Sequence, residues 1–328
     1  MYPTVEPEIL TLLLASGLDY LIGDPWGWPH PVQIMGLLIN RYTKSCLRMW
    51  QPVPYNIVSW RLRWAGIILA ISLICGSSYF CWWVIELGNR LTPYGGTLIE
   101  IIILASCFAG RSLRDAAEDV IKPLQRGDLV KARQNLSCYV GRDTENLGEQ
   151  EILRAVLETV TENGTDGVMA PLFYGLVGIF VPVIGSASLA IGYKAISTLD
   201  SMVGYKEEPY QDIGWCSAKL EDILTWIPCR LTVITIALLS GKPGYVWRVC
   251  RRDAVKDPSP NSGWSECAYA AALGVQMGGV NWYRGVPKEK PLLGDAGELI
   301  EAKHIYRALK LTRYSFLIWL GLIFVIKL

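Results

Sequence analysis

Histidine is almost absent from the sequence, which contains only His30 and His304. Nine cysteines are scattered along the chain, and no two of them form a C-x-x-C pair. Structural zinc sites need four closely spaced cysteine or histidine ligands, so we expect no zinc site. The cysteines are interpreted as reduced thiols that pack as small hydrophobic side chains.

The sequence also has no excess of positive or negative charge. The formal net charge is +1, and only 19% of residues are charged. This balance provides no basic field for nucleic acid, which we exclude as a partner. The common nucleotide and hydrolase motifs are absent as well: G-x-x-x-x-G-K-[ST], G-x-G-x-x-G, G-x-S-x-G and H-E-x-x-H. Any chemistry must therefore come from less standard groups.

Apolar residues are plentiful, at 51% of the chain, with a mean hydropathy of +0.27. Apolar runs cover 9–22, 64–87, 97–109, 168–193, 223–240 and 314–328. Only 64–87 and 168–193 reach the roughly 20 residues that cross a bilayer comfortably. The composition predicts an all-α, polytopic integral membrane protein with about 4–6 membrane-embedded helices and sizeable helical cytoplasmic regions.

Lysine and arginine predict the orientation, because cytoplasmic loops carry an excess of them. The polar regions 23–63, 110–167 and 241–313 are basic, whereas the connector 88–96 contains only Arg90. We therefore place the three polar regions in the cytoplasm of a multi-pass plasma-membrane protein. One membrane-embedded domain is expected over 1–328, with 110–167 as a helical insertion carrying part of the site and 241–313 as a loop and helix region.

The segment 168–240 must then cross the membrane an even number of times. Either 168–193 and 223–240 both span, or 168–193 is a re-entrant hairpin broken at Pro182 and Gly185. Non-helical backbone at membrane depth requires surrounding protein or a watery cavity, which the hairpin would have to provide.

Apolar residues at helical spacing predict soluble helices between 111 and 157, with a turn at Gly141-Arg142-Asp143-Thr144. No strand-like alternation is evident, so no strand is predicted.

The stretch ETVTENGTDGVMAPLFY contains Glu158, Glu162 and Asp166 at four-residue steps, with Asn163 beside them. On a helix these carboxylates share one face. Mg²⁺ prefers one or two carboxylates together with water and phosphate oxygens, so the cluster is a candidate metal site. The structural alternative is a solvated helix face that is partly paired with Arg154, four residues before Glu158. Gly164 and Gly167 are expected to break the helix, and an apolar run follows at once. This favours the functional interpretation, because charges at a membrane boundary are costly.

Two further segments carry polar groups beside apolar runs. In GLDYLIGDPWGWPHPV, His30 is held between two prolines, where a structural role is the alternative. In YKAISTLDSMVGY, Lys194 is a candidate phosphate ligand and Asp200 a candidate acid or base. The alternative for Lys194 is a lysine that extends to the membrane interface.

The loop RRDAVKDPSPNSGW contains Ser259 and Asn261, which are candidate substrate ligands or members of an ordinary turn. Arg114 and Arg142 are candidate anion clamps, since arginine binds anions through two parallel hydrogen bonds. The alternative for each arginine is a surface residue or a member of an ion pair.

Several unusual strings occur in order: GDPWGWPHPV, RSLRDAAEDV, VGRDT, ETVTENGTDGVMAPLFY, YKAISTLDSMVGY and DPSPNSGWSE. From about residue 10 to 285 they resemble the CobD/CbiB family of cobalamin biosynthesis, the adenosylcobinamide-phosphate synthases. The resemblance implies a membrane-embedded ligase that joins adenosylcobyric acid to (R)-1-amino-2-propanol phosphate with ATP. It implies ATP and Mg²⁺ as cofactors, a corrinoid as substrate, and the lipid bilayer and other cobalamin-pathway enzymes as partners. Because such substrates are cytoplasmic, it also favours the re-entrant hairpin.

On this interpretation each candidate residue has a hypothetical role. Mg²⁺ is bound by Glu158, Glu162 and Asp166; substrate and phosphates are bound by Arg114, Arg142, Lys194, Asn261 and Ser259; proton transfer and orientation are performed by Asp200, His30 and Asn163. The alternatives are a membrane transporter or non-catalytic membrane subunit with an acidic ion-binding cluster, and an intramembrane transferase that binds a diphosphate. Consumption of ATP would separate the ligase from both.

Overall fold

A computed structural model describes residues 7–23, 30–50 and 55–327. The described helices begin with α1 (Pro7–Leu21), α2 (Pro31–Trp50), α3 (Tyr55–Leu91), α4 (Gly95–Cys107), α5 (Gly110–Gln125), α6 (Leu129–Leu136) and α7 (Glu149–Asn163). A π-helix (Gly164–Met169) continues α7 and leads into α8 (Ala170–Ile179), which is followed by α9 (Ser186–Val203), α10 (Trp215–Leu239), α11 (Pro243–Asp253), a 3₁₀ turn (Ala254–Lys256), α12 (Ser262–Leu273) and α13 (Ala302–Lys327). Residues 24–29 of the motif around His30 lie outside the described residues.

Four described segments are long and apolar enough to cross a membrane: Ser59–Leu91, Gly95–Gln125, Trp215–Leu239 and Ala302–Lys327. The prediction of an all-α, multi-pass membrane protein is therefore confirmed. The run 9–22 forms the shorter α1 and is not among these segments.

The chain forms two compact units. The first unit comprises Met1–Ala109, Ala170–Thr225 and Ile323–Leu328, and the second comprises Gly110–Met169 and Trp226–Leu322. The predicted polar regions 110–167 and 241–313 both lie in the second unit.

Small residues allow close helix packing in the first unit, where α9 packs against α2, α3, α4 and α8. Gly66 of α3 lies directly against the backbone oxygen of Ile213, and a Cβ there would have no room. Ser78 of α3 donates a hydrogen bond of 2.9 Å to the carbonyl oxygen of Ser188 in α9. Such contacts stabilise helix pairs without large apolar side chains between them.

The apolar run 168–193 does not form one straight span. Helices α8 and α9 are separated by residues 180–185, where Gly185 adopts φ +82°. Gly178 of α8 packs against the backbone of Ser186, so a side chain at this position would separate the two helices. The predicted break near Pro182 and Gly185 is therefore observed, whereas the re-entrant placement of the two helices in a membrane stays a prediction.

The helices predicted in 111–157 are observed in the second unit as α5, α6 and α7, although α5 is also part of the candidate span Gly95–Gln125. The buried positions of α5 recur at helical spacing and include Leu113, Ala117 and Leu124. Asp128 begins α6, because its carboxylate accepts a 2.9 Å hydrogen bond from the backbone N–H of Lys131.

A β-hairpin in the second unit corrects the prediction that no strand is present. Strand β1 (Met277–Tyr283) pairs antiparallel with β2 (Val286–Leu293). The turn residues Arg284 and Gly285 have φ values of +53° and +75°, which suit a two-residue hairpin turn. The hairpin packs against α7, α11 and α12.

Candidate functional site

Glu158 is buried on the inward face of α7 and has both carboxylate oxygens engaged. Oε2 accepts a hydrogen bond from Arg142 Nη2 at 2.5 Å, and Oε1 accepts one from the backbone N–H of Gly278 at 3.0 Å. Only 2% of the Glu158 side chain and 9% of the Arg142 side chain are exposed. The ion pair therefore joins α7 both to the preceding loop and to β1.

Asn281 of β1 is the meeting point of two arginines. Its Oδ1 accepts hydrogen bonds from Arg142 Nη1 at 2.8 Å and from Arg154 Nη2 at 3.1 Å. Arg154 also donates to the carbonyl oxygens of Gly278 and Val280. The two guanidinium groups thus fix β1 against α7 by charge-assisted hydrogen bonds.

Gly278 and Gly279 make this close approach possible. They have φ values of +91° and +98°, which residues with side chains rarely adopt. A Cβ on Gly279 would lie 2.7 Å from Nη1 of Arg154, so a side chain here would displace the guanidinium group.

Asp143 holds the tip of the hairpin. Its Oδ1 accepts from the backbone N–H of Arg284 at 2.9 Å, and its Oδ2 from that of Gly285 at 2.7 Å. In return the Asp143 N–H donates to the carbonyl oxygen of Trp282 at 2.8 Å. Adjacent residues of the VGRDT motif therefore hold the C-terminal half of β1 and the hairpin turn.

A second ion pair joins β2 to α12. Lys290 Nζ lies 2.6 Å from Glu266 Oε1, with 24% of the lysine side chain and none of the glutamate side chain exposed. Oε2 of Glu266 is buried and has no hydrogen-bond partner among the residues that the structure describes. Buried polar atoms usually have such partners, so this oxygen is an unused acceptor.

Two hydroxyl groups hold α12 against the end of α7. Ser265 Oγ lies 2.7 Å from the carbonyl oxygen of Thr161, to which it donates, and 2.6 Å from Thr165 Oγ1. Since one hydroxyl has one proton, Thr165 is the donor in the second contact. The neighbours of Thr161 and Ser265 in the chain are Glu162 and Glu266, whose backbones are thereby fixed.

Glu158, Glu162, Glu266 and Lys290 influence one another electrostatically, and we call them the carboxylate–lysine cluster. Burial opposes ionisation of Glu158, but Arg142 and Lys290 outweigh it and hold the Glu158 pKa below its ordinary value of 4.5. Burial lowers the pKa of Lys290, but the three glutamates outweigh it and raise that pKa above its ordinary value.

The pKa of Glu162 is raised, first by burial and then by the charges of Asp257 and Glu158, against the opposing effect of Lys290. Burial and the charges of Glu162 and Glu158 also raise the pKa of Glu266, although Lys290 opposes them. Carboxyl groups with raised pKa values are common at functional sites, which makes this cluster the candidate site.

The three predicted metal ligands are not assembled into a three-carboxylate site. No group of three or more His, Cys, Asp or Glu side chains within 7–23, 30–50 and 55–327 is placed to hold one metal ion. Glu158 is engaged with Arg142, and the α-helix gives way to a π-helix at Gly164, so the regular four-residue spacing ends before Asp166. The glycines were expected to break the helix, but the chain remains helical through them.

Glu162 and Asp166 are both partly exposed. Mg²⁺ can bind through one or two carboxylates, so a role for these residues stays a prediction. Asn163 is exposed and its Nδ2 donates to the carbonyl oxygen of Thr159 in its own helix.

Ser259 and Asn261 form the entry to α12. Ser259 Oγ accepts from the backbone N–H of Asn261 at 3.2 Å and from that of Ser262 at 3.1 Å. The Ser259 N–H donates to Oδ1 of Asp257 at 2.9 Å. These contacts are those of an ordinary turn before α12, the structural alternative considered for this segment.

Arg114 lies on α5 beside Glu118, with Nε and Oε1 separated by 3.8 Å. His30, Lys194 and Asp200 belong to the first unit. The His30 Nδ1 accepts a hydrogen bond of 3.2 Å from the backbone N–H of Val32, at the start of α2. Lys194 and Asp200 are partly exposed on α9. The functional roles given to these residues stay predictions.

Lys290, Glu266 and Asn281 were not predicted, and Arg154 was considered only as a partner of the acidic helix face, whereas it contacts β1. Glu266 had a detectable signal, since it is the one acidic residue in the Ala-rich helix SGWSECAYAAAL. Lys290 and Asn281 depend on the hairpin, whose Arg-Gly turn is a weak sequence signal compared with Asn-Gly.

Comparison with known proteins agrees with the sequence motifs. The family model described as "CobD/Cbib protein" matches residues 12–312. The chain is 51% identical to the cobalamin biosynthesis protein CobD of Synechocystis sp., over 96% of this chain and 91% of that protein. It is 40% identical to the cobalamin biosynthesis protein CbiB of Salmonella typhimurium, over 92% of each chain. It is 39% identical to the cobalamin biosynthesis protein CobD of Halalkalibacterium halodurans, over 96% of each chain.

No solved structure matches the chain. The family match covers most of its length, and the similarity to these relatives covers nearly all of it. The chain belongs to the CobD/Cbib protein family.

Proposed function

We propose that this protein acts in cobalamin biosynthesis by forming an amide bond between adenosylcobyric acid and (R)-1-amino-2-propanol phosphate, with consumption of ATP. Relatives named cobalamin biosynthesis protein support the pathway. The observation that carries the reaction class is the carboxylate–lysine cluster, which combines a partly exposed carboxyl group of raised pKa with a charged lysine.

Amide formation from a carboxylate needs an activated acyl group. In the proposed reaction the propionate oxygen attacks the γ-phosphorus of ATP, and ADP leaves. The amine nitrogen then attacks the carbonyl carbon of the acyl phosphate, and inorganic phosphate leaves with the former propionate oxygen. Such steps depend chiefly on positioning and on neutralisation of phosphate charge.

The donor set of the second unit fits a Mg²⁺ ion bound through Glu162, with Asp166 as a second candidate. Glu162 is partly exposed, and the neighbouring negative charges that raise its pKa also favour a cation. Glu158 fits less well, because Arg142 and Gly278 occupy both of its oxygens. When bound, Mg²⁺ would supply charge neutralisation on phosphate oxygens.

Glu162 and Arg142 would have different roles in this reaction. Glu162, when ionised, would provide a metal ligand or accept the proton that the amine loses. Arg142 would keep Glu158 and β1 in place, which fixes the surroundings of Glu162. The polar regions carrying this cluster would face the cytoplasm, where ATP and both substrates are found.

Direct synthesis tests the proposal. The protein is purified in detergent and incubated with adenosylcobyric acid, (R)-1-amino-2-propanol phosphate, ATP and Mg²⁺, and the amide product and ADP are measured by mass spectrometry. Wild-type protein should form both in equal amounts. Glu162→Gln should lose about 10²-fold or more in rate. Glu149→Gln, the same change at an exposed position of α7, is the matched control and should retain the wild-type rate.

Failure of the wild-type protein to form the amide under these conditions would contradict the proposal. Equal activity of Glu162→Gln and wild type would leave the ligase in place and remove Glu162 from it.

A further inference from the structure

The Lys290–Glu266 ion pair belongs to the carboxylate–lysine cluster, but the reaction scheme above gives neither residue a role. The pair joins a strand to a helix, with the lysine partly exposed and the glutamate fully buried. An ammonium group has three N–H donors, and the contact with Glu266 Oε1 takes one of them. Lys290 can therefore bind an anion through its remaining N–H groups while the contact with Glu266 fixes its position.

We propose that Lys290 binds a phosphoryl group of a substrate and that Glu266 is its positioning residue. This inference rests on the proposed function, since it names the ligand of the same site. The ligand class is a phosphate monoester or the terminal phosphate of a nucleotide, which share the chemistry that an ammonium group recognises.

Geometry supports this division of roles. In protein kinases a strand lysine is held by a helix glutamate while nearby side chains bind the metal. Here β2 provides Lys290, α12 provides Glu266, and Glu162 at the end of α7 provides the nearby carboxylate.

Glu266 has a second feature that points to a ligand. Its Oε2 is buried without a hydrogen-bond partner among the described residues, so it is left as an acceptor for a water or a substrate group beside Lys290.

The charges around Lys290 affect whether a phosphate can bind without a cation. Arg142 and Lys290 compensate Glu158 and Glu266, so Glu162 is the carboxylate of the cluster that would repel a bare phosphate dianion. Binding through Lys290 should therefore depend on Mg²⁺, which would neutralise Glu162. A lysine at the protein surface would show no such dependence.

Binding can be measured without turnover. Isothermal titration of the detergent-purified protein would use two ligands separately, a non-hydrolysable ATP analogue and (R)-1-amino-2-propanol phosphate, each with and without Mg²⁺. The amino-alcohol without phosphate is the ligand control. Lys290→Met should weaken one phosphorylated ligand by about tenfold or more, because a charge-assisted hydrogen bond is lost. The ligand that is weakened identifies the source of the phosphoryl group.

Lys288→Met is the matched protein control. Lys288 lies two residues before Lys290 on the same strand, so it carries the same charge on the same face, but it is exposed. Its substitution should leave both affinities within about twofold of wild type, a difference too small for the loss of a charged contact.

The pH dependence of ligand binding tests the positioning role of Glu266. Glu266→Gln keeps the shape of the side chain and removes the charge that stabilises the Lys290 ammonium. Phosphoryl-ligand binding should therefore weaken, and its loss at alkaline pH should begin at a lower pH than in wild type. An unchanged pH profile would show that Glu266 only fills space.

A measurement on the wild-type protein tests the inference if Lys290→Met fails to fold. Acetylation of lysines, followed by mass spectrometry, should show protection of Lys290 but not Lys288 when the ligand and Mg²⁺ are present. Wild-type binding that survives Lys290→Met, or absence of protection at Lys290, would overturn the inference. Lys290-dependent binding without amide formation would instead support the inference and contradict the proposed function.

Discussion

Arg142 and Glu158 form an ion pair in which Nη2 lies 2.5 Å from Oε2, and neither side chain is more than 9% exposed. A buried ion pair contributes little net stability, because both charges lose their hydration. Its removal from one side is costly, because the remaining charge stays buried without compensation. Since Arg142 also contacts Asn281, the pair fixes where β1 and its hairpin sit relative to α7.

Substitution of either partner should therefore destabilise the protein more than joint replacement does. We expect Arg142→Met and Glu158→Leu each to cost about 3–5 kcal/mol of unfolding free energy, because each leaves its partner as an unpaired buried charge. The double variant Arg142→Met with Glu158→Leu should lie closer to wild type. Thermal unfolding in detergent would rank the variants, with the exposed Arg126→Ala as control. Additive losses in the double variant would contradict the coupling.

The same pair predicts a dependence of stability on pH. Burial opposes ionisation of Glu158, but Arg142 and Lys290 outweigh it and lower its pKa below 4.5. A lowered carboxyl pKa contributes stability that is fully present above the unfolded-state pKa and is lost as pH falls through the folded-state pKa. Glu158→Gln should flatten the acid side of the unfolding-midpoint profile, whereas exposed Glu149→Gln should not. A wild-type profile without an acid slope below pH 4.5 would contradict this.

Protonation of Glu162 should reduce the activity at acid pH. Burial and the charges of Asp257 and Glu158 raise its pKa above 4.5, so the ionised form that binds a metal appears only at higher pH. Protons and Mg²⁺ then compete for the same carboxylate. Increasing the Mg²⁺ concentration should move the acid limb of the pH–rate profile to lower pH in wild type. If the limb does not respond to Mg²⁺, Glu162 is not the metal ligand.

Asp143 should control the order of the hairpin. Its carboxylate accepts two backbone N–H groups at the turn, and hydrogen bonds to a charged acceptor contribute about 1.5–3 kcal/mol each. Asp143→Ala should increase hydrogen–deuterium exchange across 277–293, measured by mass spectrometry. Asp128→Ala, which removes a carboxylate that caps α6, is the control and should leave exchange in 277–293 unchanged. Unchanged exchange in Asp143→Ala would show that packing alone holds the turn.

The sequence predicted the helices well because their signals are local. The spacing of Leu113, Ala117 and Leu124 marks a buried face of α5, and Pro182 with Gly185 marks the break between α8 and α9. The acidic positions Glu158 and Glu162 were also recognisable, because carboxylates at helical spacing beside an apolar segment are unusual.

The partners of those carboxylates were not predictable in the same way. Arg142 was expected to clamp a phosphate, but it contacts Glu158, sixteen positions later, and Asn281, which is 139 positions away. Lys290 meets Glu266 only because the hairpin folds back over α12. Such pairings depend on tertiary structure, which periodicity and local motifs do not encode.

Orientation in the membrane gives a final prediction, argued from Cys138. The positive-inside distribution predicts that region 110–167 lies in the cytoplasm, and the Cys138 thiol in this region is exposed. A membrane-impermeant maleimide should label Cys138 in inverted membrane vesicles but not in intact cells, because the bilayer separates the reagent from the cytoplasmic face. Cys138→Ser identifies the labelled band, and permeabilised cells show that the thiol is reactive. Labelling of Cys138 in intact cells would reverse the orientation and place the carboxylate–lysine cluster away from cytoplasmic ATP.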